Sequence, residues 1–115
     1  MADYITSVAV PAVPFNIELT YNEHELFLYV VNDYDLYRRI KGVIVALRRK
    51  SRKNTYDHNK AVKAWRYVAD RGSFYYKKDF GGNGFKPAER ENVAKRLADY
   101  YLDDIEGAGG WDDED

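Results

Sequence analysis

Residues 55–84 read TYDHNKAVKAWRYVADRGSFYYKKDFGGNG, and the pattern within this stretch decides the fold. Small and apolar residues recur in it at three- and four-residue steps, the spacing of one helix face. That face comprises Ala61, Trp65, Val68, Gly72, Tyr76 and Phe80. Thr55 is a good N-cap residue, and the Gly81-Gly82 pair ends the helix because glycine adopts the left-handed C-cap conformation without steric penalty. The pattern therefore predicts a long central helix, with Trp65 at the centre of the core.

A second helix is predicted before the central one. Thr20 or Asn22 caps its start, and its apolar face comprises Leu26, Val30, Tyr37, Ile40, Ile44 and Leu47. We expect it to run from about residue 21 to residue 52, with a kink or break at Asn32-Asp33, because Asn and Asp compete for backbone hydrogen bonds and favour caps. Residues 42–45, GVIV, are also compatible with a short buried strand, although their continuity with the preceding helical spacing favours the helix.

A third helix is predicted after the glycine-rich loop of residues 81–87, GGNGFKP. Pro87 suits the first helical position, and the apolar face that follows comprises Val93, Ala94, Leu97, Tyr101 and Ile105. The helix ends in the glycine-containing segment 107–110. Residues 107–115 carry Asp and Glu but no Lys or Arg, which indicates an acidic tail.

Residues 1–20 are predicted to form an extended N-terminal arm. Pro11 and Pro14 argue against a helix here. Phe15, Ile17 and Leu19 alternate with polar residues, which is the period of an extended strand. The sequence offers no second convincing strand for pairing. The arm therefore either lies across the helices or pairs with another copy of itself, which would make a homodimer.

Together these elements predict an all-α protein of one domain. Residues 21–106 are expected to form a three-helix bundle, or a four-helix bundle if the first helix is broken, flanked by the arm 1–20 and the tail 107–115. The chain contains no cysteine, which excludes disulfides, thiolate metal sites and a cysteine nucleophile. No apolar run approaches the roughly 20 residues of a membrane span. We expect a soluble, cytoplasmic protein with no membrane partner.

The net charge of −1 conceals a strong segregation of charge along the chain. Residues 1–37 contain six acids and no Lys or Arg, whereas residues 38–53 contain eight Lys or Arg and no acid. Residues 99–115 contain eight acids and no Lys or Arg. The informative quantity is therefore the charge of each region.

The basic run is the strongest functional signal in the sequence. Closely spaced cations bind nucleic-acid phosphates by releasing counterions, and flanking tyrosines can stack on bases. The expected partner-binding residues are Arg38, Arg39, Arg48, Arg49, Lys50, Arg52 and Lys53, with Tyr37 and Tyr56 as stacking groups. Lys60, Lys63 and Arg66 would extend this surface. The partner is either a nucleic acid or an acidic protein, and a solvated helix end is the alternative interpretation of the same run.

No motif for catalysis, a metal or a cofactor is present, and we expect none of the three functions. His24 and His58 are the only histidines, and neither belongs to a zinc-binding pattern. Asp57 and His58 are sequence neighbours, which point in different directions on a helix. Residues 81–84 lack the phosphate-loop pattern. An enzyme using His58 with carboxylates that the fold brings near it remains the third hypothesis.

Residues 54–65, NTYDHNKAVKAW, together with Tyr67, Ala69-Asp70 and KKDFGG, resemble a segment of small uncharacterised accessory proteins of tailed bacteriophages. FKPAERENVAKRLADYYLDD, residues 85–104, is similar to the last helix of those proteins. The resemblance implies a small helical protein in the cytoplasm of a bacterial host, acting by binding host machinery. The preferred hypothesis is thus a non-enzymatic accessory protein that binds a host protein or a nucleic acid. The alternative is an assembly protein that oligomerises through its arm or an aromatic helix face.

Overall fold

The computed structural model describes residues 12–107. These residues form five α-helices and no strand: α1 (Tyr21–Asn32), α2 (Tyr34–Arg52), α3 (His58–Phe80), α4 (Pro87–Tyr100) and α5 (Leu102–Glu106). The prediction of an all-α protein is confirmed, whereas the number of helices differs from the three or four expected. Residues 42–45 lie within α2, so the alternative of a short strand is wrong.

The predicted break near Asn32-Asp33 separates α1 from α2. Asp33 has extended backbone angles, with φ −85° and ψ 130°, and it ends α1 and caps α2 at the same time. Its carboxylate accepts a hydrogen bond from the Leu36 N–H at 2.9 Å, which satisfies a donor that the helix start leaves free. Thr20 and Glu23 form a capping box at the start of α1.

The central helix α3 starts two residues later than predicted. Asp57 caps it by accepting hydrogen bonds from the Asn59 and Lys60 N–H groups. Thr55 was the predicted cap, and this prediction is wrong because its hydroxyl donates to the Lys50 carbonyl at the end of α2. The predicted stop is confirmed, since Gly81 adopts a φ of 79°.

Trp65 lies at the centre of the core, as predicted. Its side chain is 0% exposed, and its ring stacks on Tyr101 with centroids 5.1 Å apart. Gly72 lets α3 approach α1 closely, because a Cβ at this position would collide with Val30. The buried core draws Leu26, Leu36, Ile40, Ile44, Val68, Val93 and Leu97 from the four longer helices.

The predicted third helix is divided at Tyr101, which has φ −100° and ψ 8° and separates α4 from α5. This change of direction buries Leu102 and Ile105, and it brings the short α5 against α2. The sequence pattern could not reveal the division, because it depends on where α2 lies.

Residues 12–20 contain neither helix nor strand and precede α1 directly. Phe15 and Leu19 pack against the core, which agrees with the hypothesis that this part of the arm lies across the helices. The rest of the predicted arm, residues 1–11, and the acidic tail from residue 108 onward lie outside the described residues. Within residues 12–107, no helix combines the length and the apolarity that crossing a membrane requires.

Candidate functional site

Four of the predicted binding residues form an exposed cationic surface at and beyond the outer side of α2. We call Arg38, Arg49, Lys50 and Lys53 the α2 basic face. Arg38 and Arg49 are eleven residues apart and therefore point in nearly the same direction, about 16 Å from one another along the axis. All four side chains are exposed, and none makes an ion pair or hydrogen bond within residues 12–107. No acid occurs in the sequence between Asp35 and Asp57 to neutralise them.

The other three cations predicted to bind, Arg48, Arg39 and Arg52, make contacts inside the molecule. Arg48 is half-buried, and its Nη1 donates hydrogen bonds to the carbonyls of Asp104 at 2.6 Å and Gly107 at 3.1 Å. It thereby holds the C-terminal end of α5, where carbonyl groups lack helical partners. Arg39 Nη2 lies 3.4 Å from the Tyr75 hydroxyl on α3. Arg52 lines the groove between α2 and α5 beside Glu106.

The two predicted stacking tyrosines differ in their exposure. Tyr37 on α2 is 51% exposed. Tyr56 is half-buried, and its hydroxyl lies 2.7 Å from His58 Nδ1. Burial, reinforced by the charges of Glu106 and Asp99, raises the pKa of Tyr56 above its ordinary value. Tyr56 is therefore held within the fold rather than presented on the basic surface.

A groove between α2 and α3 continues the cationic surface. Leu47, Ala61 and Ala64 line it with apolar groups, and the side chains of Lys50, Lys60 and Lys63 also line it. Its cavity volume is about 350 Å³. Lys60 and Lys63 thus lie beside Lys50 of the α2 basic face. Arg66 lines a neighbouring cavity with Lys60 and Lys63, where its guanidinium pairs with Asp70 at 2.9 Å and Glu91 at 2.8 Å.

The outward side of α3 carries a row of cations and aromatic rings, of which only Lys60 and Lys63 were predicted to lie on a binding surface. The members of this α3 stripe are Lys60, Lys63, Tyr67, Arg71, Phe74 and Lys78. Their steps of three or four residues place them on one face over about 27 Å of helix. Tyr67 and Phe74 are 54% and 60% exposed. Helical spacing alone places these six residues on the side opposite Trp65, so the stripe could be predicted from the sequence.

The carboxylates of Asp57, Asp70 and Asp79 each bind a group other than a side chain of this stripe. Asp57 caps the helix, and Asp79 accepts a hydrogen bond from the Tyr29 hydroxyl at 2.7 Å. Asp70 is bound by Arg66 and lies 3.5 Å from Arg90 Nη1. Arg71 lies over the Phe74 ring, with its guanidinium carbon 5.9 Å from the centroid. The stripe therefore presents cations and rings together, without a competing carboxylate among its members.

A second polar cluster joins α3, α4 and the arm. His58 is buried, with Nδ1 2.7 Å from the Tyr56 hydroxyl and Nε2 2.8 Å from Asp99 Oδ1. The Asp99 carboxylate also accepts hydrogen bonds from the N–H groups of Phe15 at 3.0 Å and Asn16 at 2.9 Å. The Phe15 ring stacks on the imidazole, with centroids 4.8 Å apart. One neutral tautomer of His58 satisfies both neighbours, because Tyr56 donates to Nδ1 and the Nε2–H donates to Asp99.

This His58 cluster is the carboxylate–histidine arrangement that the enzyme hypothesis requires, but its chemistry suits a structural role. A nucleophile needs a lowered pKa, whereas that of Tyr56 is raised by burial. Both Asp99 oxygens accept hydrogen bonds from the arm backbone. A cavity of about 450 Å³ adjoins the cluster between residues 12–15 and 56–59. Within residues 12–107, no three His, Cys, Asp or Glu side chains group as metal ligands would.

A cluster of aromatic rings lies where the C-terminal ends of α1 and α3 meet. Tyr76 lies 5.3 Å from Tyr29, 4.8 Å from Phe80 and 5.1 Å from Phe85, measured between centroids. Phe80 remains 68% exposed at the edge of this cluster. Burial and the hydrogen bond to Asp79 raise the pKa of Tyr29. This end of the molecule is therefore the aromatic surface most relevant to the assembly hypothesis.

No protein-family model matches the chain, and no curated protein or solved structure matches it either. The resemblance of residues 54–104 to phage accessory proteins therefore stays a prediction. Function has to be inferred from the charge and geometry of the surface.

Proposed function

We propose that this protein is a non-enzymatic, phage-type accessory protein that binds a polyanionic macromolecule in the cytoplasm of a bacterial host. The partner, a nucleic acid or an acidic host protein, contacts the α2 basic face and the groove between α2 and α3. One observation carries the proposal: the cations of the α2 basic face are exposed, and none of them pairs with an acid within residues 12–107.

Cations that lie close together on a protein surface repel one another, and a folded protein normally relieves this repulsion by ion pairing or by spacing the charges apart. Asp57 also lines the α2–α3 groove, where its carboxylate caps α3, and within residues 12–107 it forms no ion pair with the lysines of the groove. A polyanion would neutralise the surface and release its own counterions, so binding is favoured most at low salt.

The apolar lining of the α2–α3 groove supports a macromolecular partner over a solvated surface alone. Leu47, Ala61 and Ala64 offer contact area between the lysines, and exposed apolar surface next to charge is typical of binding sites. We propose no catalytic role for the His58 cluster, because its Asp99 carboxylate binds the N–H groups of Phe15 and Asn16 and joins residues 15–16 to α4.

A matched pair of charge reversals tests the proposal. Arg49→Glu with Lys53→Glu changes the α2 basic face, and Lys77→Glu with Lys86→Glu makes the same change in net charge elsewhere on the exposed surface. Each variant is titrated at about 50 mM salt against a labelled single strand, its duplex and poly-glutamate. We expect the first variant to bind about tenfold more weakly or worse than the second. Equal binding by the two variants, or no binding of any probe by the unmodified protein, would refute the proposal.

A second candidate function is assembly into a homodimer or larger oligomer. The observation that favours it is the exposed edge of the aromatic cluster at Phe80, since aromatic rings are enriched at protein interfaces. Pairing through residues 12–20 is less favoured because Phe15 and Asn16 bind Asp99 of the same chain. Sizing with light scattering tests this candidate: an oligomer that Phe80→Ser converts to a monomer would support it, and a monomeric unmodified protein would rule it out.

A further inference from the structure

The composition of the α3 stripe differs from that of an ordinary solvated helix face and from that of a face packed in the core. A solvated face mixes acids with bases, whereas the stripe carries four cations and no acid: Lys60, Lys63, Arg71 and Lys78. Two aromatic rings, Tyr67 and Phe74, lie more than half exposed among them. A large ring that is exposed to water lacks the stabilisation that its burial would give. We therefore expect two exposed rings in one line to have a function.

We infer that the α3 stripe is a binding site for single-stranded nucleic acid. The inference rests on the proposed function and names the partner class of that same surface, because Lys60 and Lys63 belong both to the stripe and to the α2–α3 groove. Phosphates would lie along the cations, and unpaired bases would stack on Tyr67 and Phe74.

The aromatic rings decide between a single strand and a duplex. In a duplex the base faces are stacked on each other, so only base edges and phosphates are accessible to a surface helix. A single strand leaves base faces available, and base–aromatic stacking tolerates any sequence because every base has a π-face. An acidic protein would use the cations, but it would need an aromatic side chain opposite each of the two rings, whereas every nucleotide carries a base with a π-face.

The geometry also sets an approximate length for the bound strand. Tyr67 and Phe74 are separated by seven residues, or about 10 Å along the helix axis, with Arg71 between them. The guanidinium of Arg71 lies over the Phe74 ring and within 5.3 Å of the Tyr75 centroid, which adds a planar cation to the row of rings. The full stripe of about 27 Å spans roughly eight nucleotides at the spacing of stacked bases.

The test compares labelled oligothymidine, oligouridine and a duplex in binding titrations with the full-length protein. We expect both single strands to bind more tightly than the duplex. The two single strands distinguish DNA from RNA as the physiological ligand, since only the RNA offers a 2′-hydroxyl. We also expect the logarithm of the binding constant to fall with the logarithm of salt concentration with a slope of about −3 or steeper, because four phosphate contacts along the stripe predict about −3 and contacts with the α2 basic face add to it.

Aromatic variants test stacking directly. Tyr67→Ala and Phe74→Ala should each weaken single-strand binding by about fivefold or more, and Tyr67→Phe should keep the binding of the unmodified protein. Tyr21→Ala removes an exposed tyrosine from the first residue of α1 and serves as the matched control. Each side chain is exposed, so the folded state should persist, and circular dichroism checks that it does.

Different experimental results would contradict the single-strand site and the proposed function. Tighter binding of the duplex, binding of poly-glutamate alone, or Tyr67→Ala and Phe74→Ala proteins that bind as tightly as Tyr21→Ala would overturn the single-strand site. In any of these cases, weaker binding by the Arg49→Glu, Lys53→Glu protein would still uphold the α2 basic face as a polyanion surface. Absence of binding to every probe would overturn both.

Discussion

The carboxylate of Asp99 on α4 lies 2.8 Å from His58 Nε2 at the start of α3, although 41 residues separate the two in the sequence. The same carboxylate binds two N–H groups of the arm. Asn16 adopts a φ of 53°, a left-handed conformation that Asn tolerates better than most residues. In this conformation the N–H groups of Phe15 and Asn16 both donate to the Asp99 carboxylate. Asp99 is thus the point at which the arm, α3 and α4 are joined.

Asp99→Ala is expected to detach residues 12–20 from α4. The change leaves His58 and two backbone N–H groups without their acceptor, so we expect a loss of about 2–4 kcal/mol in the free energy of unfolding. Urea denaturation measures this loss, and hydrogen exchange at Phe15 and Asn16 reports the arm directly. Glu18→Ala is the control, because Glu18 is exposed on the same segment and should change stability by less than about 0.5 kcal/mol. Unchanged exchange at both amides in Asp99→Ala would contradict this role.

Trp65→Ala is expected to cost about 3–5 kcal/mol, because it leaves a large cavity against Tyr101 at the centre of the core. Trp65→Phe should cost clearly less, since the indole Nε1–H has no hydrogen-bond partner to lose within residues 12–107. Urea denaturation followed by circular dichroism measures both. Tyr67→Ala, two residues along the same helix but exposed, should remain within about 0.5 kcal/mol of the unmodified protein. Equal losses for Trp65→Ala and Tyr67→Ala would show that the centre of the core has been misplaced.

Arg48→Met and Arg49→Met form a pair that separates structure from binding. Arg48 donates to the carbonyls of Asp104 and Gly107, so Arg48→Met should cost about 1–3 kcal/mol and speed amide exchange in α5. Arg49 is exposed and makes no such contact, so Arg49→Met should leave stability within about 0.5 kcal/mol. Arg49→Met should instead weaken polyanion binding. If both variants were equally stable, the assignment of Arg48 to the end of α5 would be incorrect.

Features that depend on residues close together in the sequence could be predicted from it, whereas features that depend on distant segments could not. The spacing around Trp65, the stop at Gly81 and the break near Asp33 depend on residues within a few turns of one another, and each is found in the structure. The division at Tyr101 and the attachment of the arm to Asp99 depend on packing between distant segments, and no local pattern encodes them.

The same distinction between local and long-range interactions applies to the candidate site. The run of cations in residues 38–53 is visible in the sequence, but the position of α5 decides that Arg48 turns inward while Arg49 stays exposed. The side of α3 opposite Trp65 follows from helical spacing, but the exposed fractions of Tyr67 and Phe74 come only from the packed structure. Charge could therefore be predicted by region, whereas the role of each side chain required the packed structure.

Stability is expected to fall between about pH 10 and pH 12, because buried phenols hold their protons in the folded state. Burial, with the charges of Tyr100 and Asp104, raises the pKa of Tyr101 to about 12. Below about pH 10, Tyr101 is protonated in the folded and the unfolded state, so its contribution to stability is fully present. Above about pH 10, only the unfolded chain releases the proton, and the free energy of unfolding declines until the pH reaches the pKa of the folded state. Tyr101→Phe should remove about 1.4 kcal/mol per pH unit from that decline, while the stability difference between the two proteins stays constant from pH 7 to about pH 9. Urea denaturation across this range measures both slopes, and a decline equally steep in Tyr101→Phe would show that this phenol is not the group responsible.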